Sequence, residues 1–252
     1  MIDTHAHLYL KEFKDNIKEV VNLTINTGIE QVWLPGIDFE SLQSMENLQN
    51  TFPGYFKLFA GLHPCDVKEN YLEEIQKILA AYTPVKYTGI GEIGLDLYWD
   101  KTFFEQQKTA LKLQLDFAVE NKIPVILHVR DASEEIMPLI RDYYQSGLKG
   151  IFHSYAGNLE QALELTKNGF LIGVNGSVTF KNSQLATFIN NIPLESIVTE
   201  TDSPYLSPVP YRGKTNDPSR IPIIINKLSE LYKIPATTIK ATTKANALKL
   251  IN

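Results

Sequence analysis

Short apolar runs alternate with longer amphipathic segments along the whole chain. The runs are rich in β-branched and aromatic residues and are bounded by glycine, proline and polar residues, which is typical of buried strands. They predict eight strands, which lie at Met1–His7, Gln31–Gly36, Tyr55–Leu62, Tyr87–Ile93, Pro124–Leu127, Gly150–Phe152, Phe170–Val174 and Ile197–Thr201.

Apolar residues in the segments between the strands recur at steps of three and four residues, which predicts helices. The first helix lies between Phe13 and Ile25 and ends before Gly28, and Asp131 is expected to cap the fifth. The other helices are predicted at Phe39–Asn50, Leu72–Tyr82, Phe103–Asn121, Ala132–Ser146, Leu159–Asn168, Gln184–Asn190, Ser219–Tyr232 and Thr237–Leu250.

Eight strands that alternate with helices predict one α/β domain over residues 1–252, a distorted (β/α)8 TIM barrel. No linker, low-complexity run or change of composition divides the chain. A doubly wound open sheet is the alternative, and it usually carries a glycine-rich phosphate-binding turn after its first strand. Here the first strand runs into His-Leu-Tyr-Leu at residues 7–10, which favours the barrel.

The composition of the chain limits which cellular compartment and which binding partners are expected. The 252 residues are 44% hydrophobic with a net charge of −5, which is ordinary for a soluble protein and unlike a protein that coats nucleic acid. A phosphorylated substrate is still compatible with this charge, because bound divalent ions supply local positive charge. Cys65 is the only cysteine, so a reducing, cytoplasmic location is expected. No signal peptide, membrane-spanning run or obligate protein partner is indicated.

All five histidines lie at, or directly after, the carboxyl end of a predicted strand. In a barrel these ends meet at one mouth, where active sites are built. Residues two apart in a strand share a face, so the first two histidines point the same way and could hold one metal ion. The convergence predicts a site that contains His5, His7, His63, His128 and His153.

Two carboxylates follow the same rule. Glu92 ends the fourth strand and Asp202 follows the eighth. Four histidines with two carboxylates suit a pair of divalent ions bridged by one carboxylate, an arrangement used to hydrolyse phosphate esters. Mixed nitrogen and oxygen ligands admit Zn²⁺, Mn²⁺ or Ni²⁺, and Mg²⁺ less readily because it prefers oxygen.

Residues suited to bind a substrate lie near these ends. Arg130 follows His128 by two positions, and the proline-stiffened segment after Asp202 carries further candidates. Arginine suits bidentate phosphate contacts and lysine suits a point-charge contact. The candidates in that segment are Tyr205, Arg212 and Lys214.

The ordered motifs resemble those of the TatD-like deoxyribonucleases, metal-dependent hydrolases of the amidohydrolase superfamily. The resemblance spans nearly the whole chain, and the series is far more specific than any one member. The matching stretches are Asp3–Leu8, Gly61–Pro64, Gly89–Asp96, His128–Ala132, His153–Gly157, Glu200–Leu206 and Arg212–Lys214 with Asn216–Pro218.

The resemblance implies a role for each site residue. His5 and His7 would bind one metal together with Asp202, and Glu92 would bridge to a second metal. The ligands of that second metal would be His128 and His153. His63 would face the scissile phosphate, Asp202 could act as general base, and Glu200 would bind substrate or orient a ligand.

Three departures from the family pattern remove no proposed ligand. Tyr9 stands where the family often has Asp, Ala6 where it often has Cys, and Asp217 where it usually has Glu. Tyr9 is expected to alter substrate preference.

The function implied by the resemblance is that of a deoxyribonuclease with a metal-activated water at a two-metal site. It would act from the 3′ end of single-stranded or frayed DNA, bind DNA weakly and without sequence preference, and take part in DNA repair. One alternative is hydrolysis of a small phosphodiester, ester, lactone or amide on the same barrel, since fold does not fix chemistry. Another is a non-catalytic binding barrel, which the complete ligand set disfavours.

Overall fold

The computed structural model describes all 252 residues, and its core is one sheet of eight parallel strands. The strands are Ile2–Asp3 (β1), Gln31–Pro35 (β2), Phe56–Ala60 (β3), Tyr87–Asp96 (β4), Val125–Arg130 (β5), Gly150–Phe152 (β6), Phe170–Val174 (β7) and Ile197–Thr199 (β8). Their spatial order follows the chain from β1 to β8. This order confirms the (β/α)8 barrel and excludes the doubly wound sheet, in which the strand order reverses.

Strands β1 and β8 meet through few backbone contacts. The Thr4 amide donates to the carbonyl of Thr199 over 3.1 Å, and the Asp202 amide donates to the carbonyl of His5 over 2.8 Å. Regular pairing of β1 with β2 covers only two residues of β1. The barrel is therefore distorted at the β1–β8 junction, and the first His-x-His lies at this junction.

Nine helices surround the sheet, and shorter 3-10 turns connect several elements. Each helix that follows a strand covers the outer face of the barrel, so its apolar side packs on the sheet. The helices are Ile17–Asn26 (α1), Phe39–Thr51 (α2), Tyr71–Ala81 (α3), Phe104–Asn121 (α4), Ser133–Arg141 (α5), Leu159–Lys167 (α6), Leu185–Phe188 (α7), Ile221–Tyr232 (α8) and Ala236–Ile251 (α9).

Two helix predictions are wrong in detail. Asp131 does not cap α5, because its backbone is left-handed (φ 52°) and the helix begins only at Ser133, with no side-chain cap. Asp tolerates this conformation better than most residues, which makes Asp131 a turn residue. Helix α5 also ends at Arg141, and Tyr144–Ser146 forms a separate 3-10 turn. Helix α7 is a single turn, Leu185–Phe188, that continues as 3-10 structure.

Inward-facing side chains from six strands fill the barrel interior together with α9. The buried members of this cluster are Ile2, Trp33, Phe59, Ile126, Ile151, Val198 and Ala247. Strand β4 contributes glycines instead, because a Cβ at Gly89 would lie 2.8 Å from the Phe59 ring and one at Gly91 would lie 2.8 Å from Cβ of Ile126. A larger cluster of 51 buried residues packs mainly between the strands and the surrounding helices. No helix is both long and apolar enough to cross a bilayer.

Candidate metal centre

Strand periodicity brings the predicted site residues to the carboxyl end of the barrel. His128 follows the inward-facing Ile126 by two positions, and His153 follows Ile151 in the same way. The apolar layer thus gives way to a polar layer within one strand repeat. All five histidines and both predicted carboxylates meet in this layer. A cavity of about 720 Å³ opens over it.

Glu92 lies at the centre of the polar layer, and its two oxygens face different histidines. Oε2 lies 3.2 Å from Nε2 of His5 and 3.4 Å from Nε2 of His7. Oε1 lies 2.8 Å from Nδ1 of His128. Glu92 is 2% exposed, so this carboxylate has neighbours on both sides and little contact with water. The geometry fits a bridging carboxylate.

Asp202 faces the centre from the β1–β8 junction. Its Oδ1 lies 3.8 Å from Nε2 of each of three histidines, which are His5, His7 and His153. Nε2 of His153 is also 3.8 Å from Oε1 of Glu92, so His153 lies equally close to both carboxylates. Three groups of candidate ligand atoms each converge within 4.8 Å: His5, His7 and Glu92; His5, His153 and Asp202; and His63, Glu92 and His128.

The chemistry of His5 and His7 fits a metal ion. The Tyr9 hydroxyl donates to the carbonyl of Pro35 over 2.7 Å, so it accepts a hydrogen bond from Nδ1 of His7 over 2.9 Å. That tautomer leaves Nε2 of His7 with a free lone pair, directed at Nε2 of His5 over 3.0 Å. Nδ1 of His5 is buried without a hydrogen-bond partner. Two imidazole nitrogens beside a carboxylate oxygen are a donor set that a divalent cation satisfies.

Carboxylates behind the layer orient two further histidines. Oδ2 of Asp96 lies 2.9 Å from Nε2 of His128, which directs Nδ1 of His128 at Glu92. Oε1 of Glu200 lies 2.8 Å from Nδ1 of His153, a close charge contact rather than a well-aligned hydrogen bond. Carboxylates placed in this way fix the tautomer of a metal-binding histidine and raise its basicity.

The structure corrects one half of the expectation for Glu200. Its side chain is fully buried and contacts His153 and the Ser154 amide, which donates to it over 2.6 Å. A Cβ at Gly173 would lie 2.5 Å from its Oε2, so this glycine provides the space for the carboxylate. Glu200 is therefore positioned to orient His153, and its buried carboxylate has no face open to a substrate.

The tautomer of His63 follows from a hydrogen bond to the backbone. Its Nδ1 accepts a hydrogen bond from the Cys65 amide over 3.1 Å, so neutral His63 carries its proton on Nε2. Burial lowers the pKa of His63 to about 3, and the nearby charge of His128 acts in the same direction. Nε2 faces the cavity 3.6 Å from Oε1 of Glu92. A protonated nitrogen is a hydrogen-bond donor and not a metal ligand.

Burial and mutual charge move the pKa values of the polar layer. Burial raises the pKa of Asp202 to about 6, against the opposing charge of neighbouring histidines. Burial opposes the charge of His153, but Glu200 and Asp202 outweigh it and raise its pKa to about 10. Burial and the charge of His153 hold the pKa of His5 well below its usual value. Burial opposes the charge of Glu92, but the neighbouring histidines outweigh it and hold the pKa of Glu92 well below its usual value, so this carboxylate stays charged.

The predicted substrate-binding residues fall into three places. Arg130 and Tyr205 line the metal cavity. Arg212 lies over the Phe180 ring at 4.7 Å and lines an adjoining groove of about 480 Å³. Lys214 is exposed and lines neither space. The structure therefore separates this basic segment from the metal layer, although both lie at the same end of the barrel.

Sequence reasoning assigned no role to Asp96 or Trp99. Asp96 contacts His128, and Trp99 lines the cavity although 68% of it is exposed. Asp96 is the last residue of the Gly89–Asp96 motif, and its position at the carboxyl end of β4 is the signal that could have identified it as a site residue. Trp99 has no spacing signal, because it follows the strand in an irregular turn.

A (β/α)8 barrel with histidines and carboxylates clustered at its carboxyl-terminal mouth defines the class of metal-dependent hydrolases of amidohydrolase fold. The sequence profile of the TatD related DNases matches residues 2–252. The chain therefore belongs to the TatD family.

Relatives and solved structures agree with this assignment. The chain is 32% identical to the metal-dependent hydrolase YabD of Bacillus subtilis, with 99% of the chain and 98% of that protein covered. It is 31% identical to a metal-dependent hydrolase of Buchnera aphidicola, with 100% and 99% covered. The crystal structure of the TatD homologue YjjV of Escherichia coli superposes with a TM-score of 0.93 at 27% identity, with 100% and 98% covered. The first two proteins are themselves described as uncharacterized.

Proposed function

We propose that this protein is a metal-dependent deoxyribonuclease that hydrolyses phosphodiester bonds from the 3′ end of single-stranded or frayed DNA. The observation that carries the proposal is the position of Glu92, whose two oxygens face separate histidine groups beneath an open cavity. Membership of a DNase family supports DNA as the substrate. The single cysteine fits a reducing compartment, so we also propose a cytoplasmic role in DNA repair.

Two divalent ions fit the donor set, with Glu92 between them. His5, His7 and Asp202 would hold the first ion, and His128 and His153 would hold the second. Ions bound there would polarise the phosphodiester and lower the pKa of a water molecule, so that the water could attack phosphorus as a base takes its proton. Zn²⁺, Mn²⁺ and Ni²⁺ suit the mixed ligands better than Mg²⁺ does.

Asp202 is the group we propose as general base. Its side chain is 13% exposed, against 3% for Glu92, so it is the more accessible of the two carboxylates. Asp202 lines the cavity, where its carboxylate could accept the proton of a water molecule. Nε2–H of His63 faces the cavity and would donate a hydrogen bond to a phosphate oxygen.

Arg130 is the cation that we propose to hold the DNA backbone. Arg130 lines the cavity together with Glu92 and His128, so a phosphate near the metals would lie within its reach. Arg212 lies farther along, in the adjoining groove, where a second phosphate of a longer chain would pass. DNA binding through two or three cations would be weak and salt-dependent.

A small substrate is the second candidate, and the size of the cavity favours it. A volume of about 720 Å³ falls in the range of small-molecule sites. A small phosphodiester, ester, lactone or amide would fill this space without using the adjoining groove. Arg212→Ala separates the two candidates, because it should lower DNA cleavage and leave hydrolysis of a small ester unchanged.

The experiment compares cleavage of 3′-labelled single-stranded DNA, duplex DNA and RNA by the protein loaded with Mn²⁺, Zn²⁺, Ni²⁺ or Mg²⁺. His128→Ala should abolish cleavage, and Lys227→Ala, which removes a partly exposed cation on α8, should not. Release of single nucleotides from single-stranded DNA supports the proposal. Cleavage by His128→Ala at the wild-type rate would contradict the two-metal site, and hydrolysis of small esters alone would favour the second candidate.

A further inference from the structure

An aromatic turn, Tyr98–Trp99, projects at the rim of the metal cavity directly after β4. Tyr98 is 52% exposed and Trp99 is 68% exposed. The other tryptophan of the chain, Trp33, is fully buried and stacks on Phe59 inside the barrel. An indole ring left largely in water beside an active-site cavity forgoes the stabilisation that burial gives a large apolar side chain. It is a candidate for contact with a flat ligand.

The aromatic turn is fixed to the metal centre through one carboxylate. Oδ1 of Asp96 accepts hydrogen bonds from the amides of Tyr98 (2.9 Å) and Trp99 (3.1 Å). Oδ2 of the same carboxylate lies 2.9 Å from Nε2 of His128. The backbone of the turn and the orientation of a proposed metal ligand therefore depend on the same group.

Arg130 completes the aromatic turn with a positive charge. Its guanidinium carbon lies 3.8 Å from the centre of the Tyr98 ring and 5.3 Å from that of Trp99. Contacts at these distances are cation–π interactions. Arg130 and Trp99 both line the cavity. A flat ring and a cation side by side match a nucleotide, which offers a base with a π-face and a phosphate.

We propose that Trp99 stacks on an unpaired nucleobase of the chain being cleaved, while Arg130 binds a phosphate of the same chain. The inference rests on the proposed nuclease function and names the group by which a single strand is recognised. Stacking on an aromatic ring accepts any base, because every base has a π-face. A paired base in a duplex is already stacked on its neighbours, so it cannot cover Trp99 without fraying.

The test measures binding to the metal-loaded protein of two short chains with phosphorothioate linkages, which resist hydrolysis. One is a thymidine octamer, and the other has the same backbone with abasic sugars. The Kd of Trp99→Ala for the thymidine chain should rise about tenfold, which is about 1.4 kcal/mol and within the range of one base–aromatic stack. Its Kd for the abasic chain should not change, and Trp99→Phe should restore most of the affinity. The thymidine octamer should quench the tryptophan fluorescence of the wild-type protein, and this quenching reports on Trp99 because Trp33 is buried.

Leu163→Ala is the matched control, because Leu163 is a 41% exposed apolar residue on α6 that does not line the cavity. Equal weakening of both chains by Trp99→Ala, no weakening, or no binding of either chain would overturn the inference. Cleavage of ordinary DNA is measured in parallel. If the wild-type protein cleaves DNA and Trp99→Ala binds both chains as the wild type does, only the stacking inference is contradicted. If binding depends on the bases but no DNA is cleaved, the nuclease function is contradicted and the stacking inference stands.

Discussion

The hydroxyl of Tyr9 offers the sharpest test of how the first metal position is built. Tyr9→Phe removes one oxygen and keeps the ring. That oxygen accepts a hydrogen bond from His7 over 2.9 Å and donates to Pro35 over 2.7 Å, so its loss leaves a ring N–H and a carbonyl without partners. Each unsatisfied group costs about 1–3 kcal/mol where water cannot replace the partner. We expect a loss of about 1–3 kcal/mol in the free energy of unfolding, because Tyr9 is only half-buried and one group can recover water.

The larger effect should fall on metal binding. Without the Tyr9 hydroxyl the proton of His7 is no longer held on Nδ1, so Nε2 is no longer kept unprotonated and able to bind a metal. Mutation of such outer partners typically lowers metal affinity 10- to 100-fold. Competition against a chromophoric chelator would measure the Kd of each metal, and urea unfolding of the metal-free protein would measure stability.

Tyr55→Phe is the matched control. Tyr55 is also half-buried, and its hydroxyl donates to a backbone carbonyl, that of Ile29, over 3.2 Å. It should lower stability by about 1 kcal/mol and leave metal affinity unchanged. Wild-type metal affinity in Tyr9→Phe would refute the reasoning, as would an equal loss of affinity in Tyr55→Phe.

Three further predictions address the rest of the site. Asp202→Asn should lower cleavage at least a hundredfold, measured as kcat at saturating metal, and wild-type kcat would exclude Asp202 as base. In metal-free protein the pKa of His153 is raised to about 10, so its contribution to stability is full below pH 6.5 and is lost as the pH rises through 10. Urea unfolding at pH 6, 8 and 10 should show that decline, and Glu200→Gln should flatten it; a decline of equal slope in the variant would show that another group causes it. An N-terminal extension should reduce bound metal compared with a C-terminal one, because the ammonium of Met1 bonds the Gly28 carbonyl (2.9 Å) and Glu30 (3.1 Å); equal metal content by mass spectrometry would contradict this.

The sequence was sufficient to predict the barrel because the apolar runs, the helical segments between them and the polar residues at the strand ends all indicated the same fold. Short apolar runs ended in histidines or carboxylates, and strand periodicity then placed those side chains in one layer. The metal layer itself follows from this rule, since His128 and His153 each lie two residues beyond a buried isoleucine. Helix ends were less predictable, because an Asp before a helix can either cap it or adopt a left-handed turn, and Asp131 does the second.

The outer contacts of the site could not be read from spacing. Tyr9 was noted only as a departure from the family pattern with an expected effect on substrate choice, yet its hydroxyl lies against His7. Arg212 follows the strand end closely in sequence but lies over Phe180, away from the metal layer. Loop residues are positioned by tertiary contacts that have no periodic signature.

Because the site includes residues from both sides of the β1–β8 junction, it can form only after most of the chain has been synthesised. His5 lies in the first strand and Asp202 follows the last, and the amide of Asp202 donates to the carbonyl of His5. A nascent chain that has emerged only as far as β7 holds all five histidines and Glu92 but cannot close the barrel around them. Loop closure over almost 200 residues must precede the first complete metal position. Binding at the proposed first metal position would therefore require a chain that has been made and folded to its last strand, and a truncated translation product would lack the complete site.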